Sequence, residues 1–472
     1  MKLGIFIFRR DLRLQDNTTL LLLNKECDYI MPIFILDENQ IKENRHNKNY
    51  FSYNATQFIC ESLQDLDKQL KKKNSKLHLY YGDVKKTILK IIKELENKYE
   101  LKIGFNKDYS EYSIERDSAI QLICMNNNIE LITEHDIALI DFDKMLLGGI
   151  TAYKQFGPFY KNAIKTEPLK PVNSDINFTK IASHGYNIKE LDKLHKGNDN
   201  LKQKGNRNFF IKILNNIDKF SNYDDIKNDL SCDTTNLSAG LNLGLISCRE
   251  TYWKVKNIES IKKQLYWRDF YLCAYNNLEN GKSFFKLLDS RYELIDWTLT
   301  DLKICYWDKM IQGKTGFLII DASINEMKQT GFLHGRCRML LGIFWTKYLQ
   351  INILDNKYGS QTGFSKYLLD AIGPTQNKMN HHWILDFDYA GKKFSKTGTI
   401  SGRPMNIDNS IIKKLDKDCK YIKKWLPQFN DIENKEIYKW SNVIANKYSI
   451  HPGPIFDAKE KYKEWIELCR GI

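Results

Sequence analysis

The sequence predicts two unlike folded parts: an α/β domain built on a doubly wound parallel sheet, then a larger all-α domain. Three observations carry that prediction. Short apolar runs alternate with amphipathic helical stretches as far as Thr133. A segment rich in Lys, Asn and Pro follows, irregular from Ala138 to about Gly205. From Asn208 onward the pattern is helical, with no convincing strand. The expected divisions of the 472 residues are 1–137, a connector at 138–205, and 206–472.

Leu3–Phe8 opens the chain as an apolar run of buried-strand type. Tyr29–Leu36, Leu77–Tyr80, Leu101–Phe105 and Ile129–Thr133 repeat it, with amphipathic helices expected at Ser52–Leu70, Val84–Leu95 and Ile114–Met125. Strands separated by helices are joined by crossovers, and crossovers give parallel neighbours. No G-x-G-x-x-G is present, so the usual dinucleotide turn is missing. The first turn reads Phe8-Arg9-Arg10-Asp11-Leu12-Arg13-Leu14-Gln15-Asp16-Asn17, and its charges suit ion pairs that fix the strand-to-helix corner.

Composition narrows the function classes. Hydrophobic content of 42% with 12% aromatics is that of a globular chain and excludes wholesale disorder. A formal net charge of +14 favours a polyanionic partner, nucleic acid first. The ten cysteines form no C-x-x-C, which argues for reduced thiols and against a zinc or iron–sulfur site. The opening MKLGIFIF is too short for a signal peptide, and no apolar run approaches the roughly 18 residues of a membrane span. A soluble, intracellular protein is expected.

Gly313 to Trp345 organises the second half. Apolar helical runs at Phe317–Met327 and Phe332–Trp345 meet at Thr330–Gly331, where glycine suits a helix C-cap. In the second run His334 and Arg338 lie four apart, and Arg336 and Met339 three apart, so each pair shares a face. Two guanidiniums in such a helix need carboxylate or phosphate partners, or else snorkel at a domain edge. Gly313-Lys314-Thr315 imitates the end of a phosphate-binding loop, but Asp308 stands where its first glycine is required.

The stretch GKTGFLIIDASINEMKQTGFLHGRCRM resembles the flavin-domain signature of the DNA photolyase/cryptochrome family. The opening turn, Tyr153–Asn162, Thr234-Thr235-Asn236-Leu237-Ser238, Gln264–Tyr271 (QLYWRDFY) and the His451-Pro452-Gly453-Pro454-Ile455 tail resemble further family segments, so the likeness spans nearly the whole chain. It implies non-covalent FAD in the helical domain and light-driven repair of UV-damaged DNA by a monomer. A folate or deazaflavin antenna in the α/β domain is a further possibility. A (6-4) photolyase and a non-repairing cryptochrome are the alternatives; cryptochromes often carry long C-terminal tails, and none is expected here.

Site residues follow from the same resemblance. Thr234–Ser238 would hold the FAD phosphates, which hydroxyls and N–H groups at a helix start suit chemically; Tyr223 falls near a flavin-contacting tyrosine. Trp267 would stack on a flipped-out base, and Arg268 would lie by the flavin. Arg338 would pair with Asp370 beside the flavin, with Asn377 or Asn380 facing its ring. Arg336 and Met339 would point at the lesion. Gln264 replaces the glutamate usual in dimer-repairing enzymes, and Gly335 the usual asparagine. Trp383, Tyr358 and Trp307 would relay electrons. The basic Gly-rich loop at Tyr389–Arg403 would hold DNA phosphates through Lys392, Lys393, Lys396 and Arg403. The adjacent His381 and His382 diverge too far to bind a metal on their own.

Overall fold

The computed structural model describes residues 1–37, 52–142, 145–147, 151–153, 156–181, 185–278, 295–352, 355, 357–359, 363, 365–372 and 406–470. Five strands, β1 (Lys2–Phe8), β2 (Tyr29–Leu36), β3 (His78–Tyr81), β4 (Glu100–Asn106) and β5 (Glu130–Glu134), form a sheet in the order β3-β2-β1-β4-β5. All four pairings are parallel. Helices α1 (Thr18–Glu26), α2 (Tyr53–Lys71), α3 (Val84–Leu95) and α4 (Glu111–Asn126) supply the crossovers. Each starts at a polar N-cap, Asn17, Ser52, Asp83 or Ser110, whose side chain accepts from a first-turn N–H.

Side chains alternate across the strands. Leu3, Ile5 and Ile7 of β1 join Ile33, Ile88, Ile91 and Ile103 on one face. Phe6 and Phe8 face the other way, into a core continuous with Leu241, Leu265 and Phe270 of the helical half. The two halves therefore share apolar packing as well as charge. Asp136, after β5, is bonded by Arg13 and by Arg249, which also binds Asp16. Burial would raise the Asp136 carboxyl, but the two arginines outweigh it and hold it at about 2.

The connector is more ordered than its composition suggests. It holds a two-stranded antiparallel pair, β6 (Leu146–Leu147) and β7 (Thr151–Ala152), and helix α5 (Phe156–Ala163). Pro158 is tolerated in α5 because it sits in the first turn, where its missing N–H has no intrahelical partner.

After residue 206 the described elements are helical. They include α6 (Glu259–Leu278), α7 (Asp301–Ile311), α8 (Leu318–Thr330), α9 (Gly335–Ile343) and α10 (Ala458–Arg470). Their core collects Ile319, Leu340, Phe344, Trp345 and Trp465. Gly331 ends α8 at φ 68°, the left-handed cap expected of glycine there. α9 is shorter than the apolar run, because its last residues continue as a π-helical turn at Phe344–Tyr348. No helix among the described residues is long and apolar enough to cross a membrane.

Candidate functional site

A cavity of about 580 Å³ opens between α6, α9 and the segment before residue 238. It falls within the range of cofactor cavities, about 300–1,000 Å³. Its wall brings together Tyr223, Thr234, Thr235, Asn236, Leu237, Ser238, Gln264, Trp267, Arg268, Arg336, Arg338, Met339 and Asp370. Asn377, Trp383, Lys392, Lys393, Lys396 and Arg403 lie outside the described residues, as do Asn380 and the His381–His382 pair. Trp307 and Tyr358 are not at the cavity; they meet edge to face, centroids 5.2 Å apart, beside Trp345.

The local backbone explains the wall. Asn236 takes φ 53°, a left-handed conformation that asparagine accepts more readily than most residues. Its Nδ2 turns back to donate to the Thr234 carbonyl at 2.9 Å. The short helix Ser238–Asn242 follows at Leu237, which gives it no side-chain cap, so its leading N–H groups stay open to a ligand.

On α9 His334 and Arg338, four apart, both line the cavity, and His334 also starts the helix. His334 is the N-cap: its Nδ1 accepts from the Arg336 N–H at 3.1 Å. Burial, then the nearby Arg338 and Arg336, push its imidazole down to about 4, so it is neutral at pH 7. Arg338 donates to Asp370 at 2.9 Å and to the Leu333 carbonyl at 2.8 Å. Among the described residues Arg336 has no carboxylate partner. Its Nε donates to Asn228 Oδ1 at 2.7 Å, and its Nη1 lies 3.6 Å from Met339 Sδ.

Arg268 and Asp269 have a structural task besides the cavity. Arg268 Nη1 donates to the Ile137 carbonyl at 2.7 Å, and Asp269 accepts from the Leu139 N–H at 2.8 Å. Together they pin the chain where it leaves the sheet domain. Burial raises the Asp269 carboxyl to about 7 despite Arg268 beside it.

Three buried polar atoms on the cavity wall have no partner among the described residues: Arg268 Nη2, Asn236 Oδ1 and Asp370 Oδ1. Buried polar atoms in folded proteins are almost always satisfied, and these three belong to residues that line one cavity. A flavin nucleotide, with ring N–H, carbonyl and phosphate groups, has the matching chemistry. Asn228 and Tyr271, also on the wall, escape sequence reasoning. Tyr271 closes the QLYWRDFY octet and could have been read there; Asn228 carries no such signal.

The comparisons with known proteins agree. The model for DNA photolyase matches residues 5–174, and the model for the FAD binding domain of DNA photolyase matches residues 260–470. The chain belongs to the DNA photolyase/cryptochrome family. Its helical half is that family's FAD-binding domain. A deoxyribodipyrimidine photo-lyase from Buchnera aphidicola is 27% identical, covering 99% of this chain and 98% of its own. Cryptochrome-2 of Gallus gallus is 26% identical over 92% of this chain and 75% of its own. Among solved structures, an archaeal photolyase from Sulfolobus tokodaii with two FAD molecules superposes at TM-score 0.82, with 28% identity and full coverage of both chains.

A second cavity, about 90 Å³, lies at the C-terminal ends of β1 and β2. Arg9 and Arg116 line it; both bond Asp117, and each keeps an Nη2 with no partner among the described residues.

Proposed function

We propose that this chain is a light-driven DNA-repair enzyme, a deoxyribodipyrimidine photo-lyase acting on cyclobutane pyrimidine dimers. One observation carries the reading: a single cavity joins a polar wall suited to FAD to Trp267, Arg336 and Met339, residue types suited to a damaged base. When bound, the flavin supplies light-driven donation of an electron to the dimer.

The chain's own residues bind and orient. Thr234–Ser238 hold the diphosphate through hydroxyls and the leading N–H groups of the short helix that begins at Ser238. Arg338 and Asp370 flank the flavin ring, the bare Asp370 oxygen accepting from it, while Arg268 donates through Nη2; Tyr223 and Asn377 are further flavin contacts. Trp267 offers an aromatic face to the flipped base. Met339 packs its thioether on the pyrimidine, and Gln264, exposed at the rim, hydrogen-bonds it. Arg336 is held toward the lesion by Asn228. Lys392, Lys393, Lys396 and Arg403 are proposed phosphate contacts, and Trp383, Tyr358 and Trp307 the electron relay. The working divisions remain 1–137, 138–205 and 206–472, in a monomer inside the cell.

An antenna pigment would sit at the smaller cavity, where Arg9 and Arg116, already paired with Asp117, each keep an Nη2 with no partner among the described residues for an anionic or carbonyl-rich edge. At about 90 Å³ the cavity must open to admit a folate or deazaflavin ring.

Gln264 favours a second reading, (6-4) repair. Against it, Gly335 and Met339 stand where that chemistry calls for proton-carrying histidines, and His334 spends Nδ1 on its own helix. Purified protein under blue light, given matched oligonucleotides with either lesion, separates the readings. Dimer repair alone supports this one, (6-4) repair supports the second, and repair of neither supports a cryptochrome.

A further inference from the structure

Phe156, on α5 of the connector, covers one face of Trp267. The two rings are nearly parallel, at 7°, with centroids 3.6 Å apart. Aromatic pairs left to themselves prefer offset or edge-on arrangements with centroids about 4.5–7 Å apart. The face-to-face geometry is therefore imposed by what surrounds it. Phe159, fully buried three residues on, stands edge-on to Phe270 at 5.3 Å, and Phe156 itself meets Phe270 at 5.9 Å. Tyr160 lies on Phe156 at 5.4 Å and 18°, and its hydroxyl is bonded to Glu259 at the start of α6. The ammonium of Lys263 stands 6.0 Å from the centre of the Phe156 ring.

Which indole face is covered decides what this contact does. Trp267 and Tyr271 line the large cavity, whereas Phe156, Phe159 and Tyr160 do not. Phe156 thus packs on the indole from outside the cavity lining, while Tyr271, stacked on Trp267 at 5.7 Å and 26°, flanks it on the cavity wall.

We propose that Phe156 is a positioning residue for base recognition: it covers one face of Trp267 and fixes the tilt at which the indole receives a flipped-out base. The inference rests on the reading of Trp267 as the stacking surface. Without the brace the indole rotates about its side-chain bonds, and each binding event must freeze that motion. Discrimination then suffers more than general DNA affinity, because phosphate contacts do not pass through Trp267.

The test is dark binding of FAD-loaded protein to an oligonucleotide with one cyclobutane dimer and to its undamaged counterpart. Phe156→Leu keeps the apolar volume that holds α5 on α6 and removes only the ring. It should lose roughly tenfold of the preference for the lesion, within the range of one base–aromatic stack. Affinity for undamaged DNA and flavin content should stay unchanged, and Phe156→Tyr should restore the preference. In a Trp267→Ala background Phe156→Leu should add nothing. Full preference in Phe156→Leu, with Trp267→Ala defective, overturns the brace alone. Increased preference would mean that Phe156 occupies the base's own place, and overturns it too. If Trp267→Ala itself keeps full preference, the stacking role of Trp267 has failed and the brace falls with it.

Discussion

The clamp between the two halves and the wall of the large cavity are both built from buried charge, yet they end differently. At the clamp, both oxygens of Asp136 and of Asp16 are bonded, by Arg13, Arg249, Thr18, Ser247 and the Val172 N–H. At the cavity, Arg338 takes one oxygen of Asp370, and the other has no partner among the described residues. The clamp's carboxylates are fully bonded, although Arg13 Nε beside them has no partner among the described residues, whereas Asp370 keeps one carboxylate oxygen unbonded. The same residue types thus serve as structure in one region and as a binding site in the other.

The largest effect should come from breaking the clamp. Asp136→Ala strips two buried arginines of their shared partner, and removing one member of a buried pair costs about 3–5 kcal/mol. Thermal unfolding with and without added FAD should show both curves falling together, the flavin-dependent increment unchanged.

Asp370→Ala should do the reverse. Saturating FAD at about a hundred times its dissociation constant stabilises a protein by about 2.7 kcal/mol. That increment should shrink in Asp370→Ala and be lost when the wild type is stripped of flavin. An equal increment in variant and wild type would remove Asp370 from the flavin site.

Acid should sharpen the contrast next. His334 is held at about 4 against an ordinary value near 6.5, so the fold prefers it neutral. Its contribution is complete above pH 6.5 and is lost as pH falls from 6.5 to 4. Asp136, held at about 2, keeps its contribution above 3.8 and loses it only between there and pH 2. Unfolding measured for His334→Gln should therefore fall less steeply than wild type between pH 6.5 and 4, with parallel curves above pH 7.

The smallest effect expected is at Gln264. Glutamate there would exchange a neutral hydrogen bond to the lesion for a charge-assisted one, a difference of roughly 1–2 kcal/mol. Gln264→Glu should raise the quantum yield of dimer repair; an unchanged yield would take the residue out of the reaction.

Local chemistry is what the sequence makes legible. β2 and α3 run as the apolar periodicity predicts, at Tyr29–Leu36 and Val84–Leu95, and Gly331 caps its helix as glycine should. The thirteen wall residues named above include eight that lie in two continuous motifs, Thr234–Ser238 and the octet holding Gln264, Trp267 and Arg268. What was not legible depends on partners far away in the chain. His334 shares the cavity side with Arg338 as its spacing suggests, but its role as the helix N-cap depends on where the helix begins. Arg336 demands a charged partner by its chemistry and is met by an amide 108 positions earlier. The Phe156–Trp267 contact joins a connector read as irregular to a helix more than a hundred residues on. No local pattern reports which faces tertiary packing brings together.

The proposed repair requires this one cavity to hold both the flavin and the lesion. The most direct test is the disappearance of cyclobutane dimers from an oligonucleotide, in blue light and in darkness, for wild type and for Trp267→Ala at equal flavin content. Light-dependent repair is expected of the wild type, with none in the dark and a strong reduction in the variant. Light-independent loss of dimers, or undiminished repair by flavin-loaded Trp267→Ala, would contradict it.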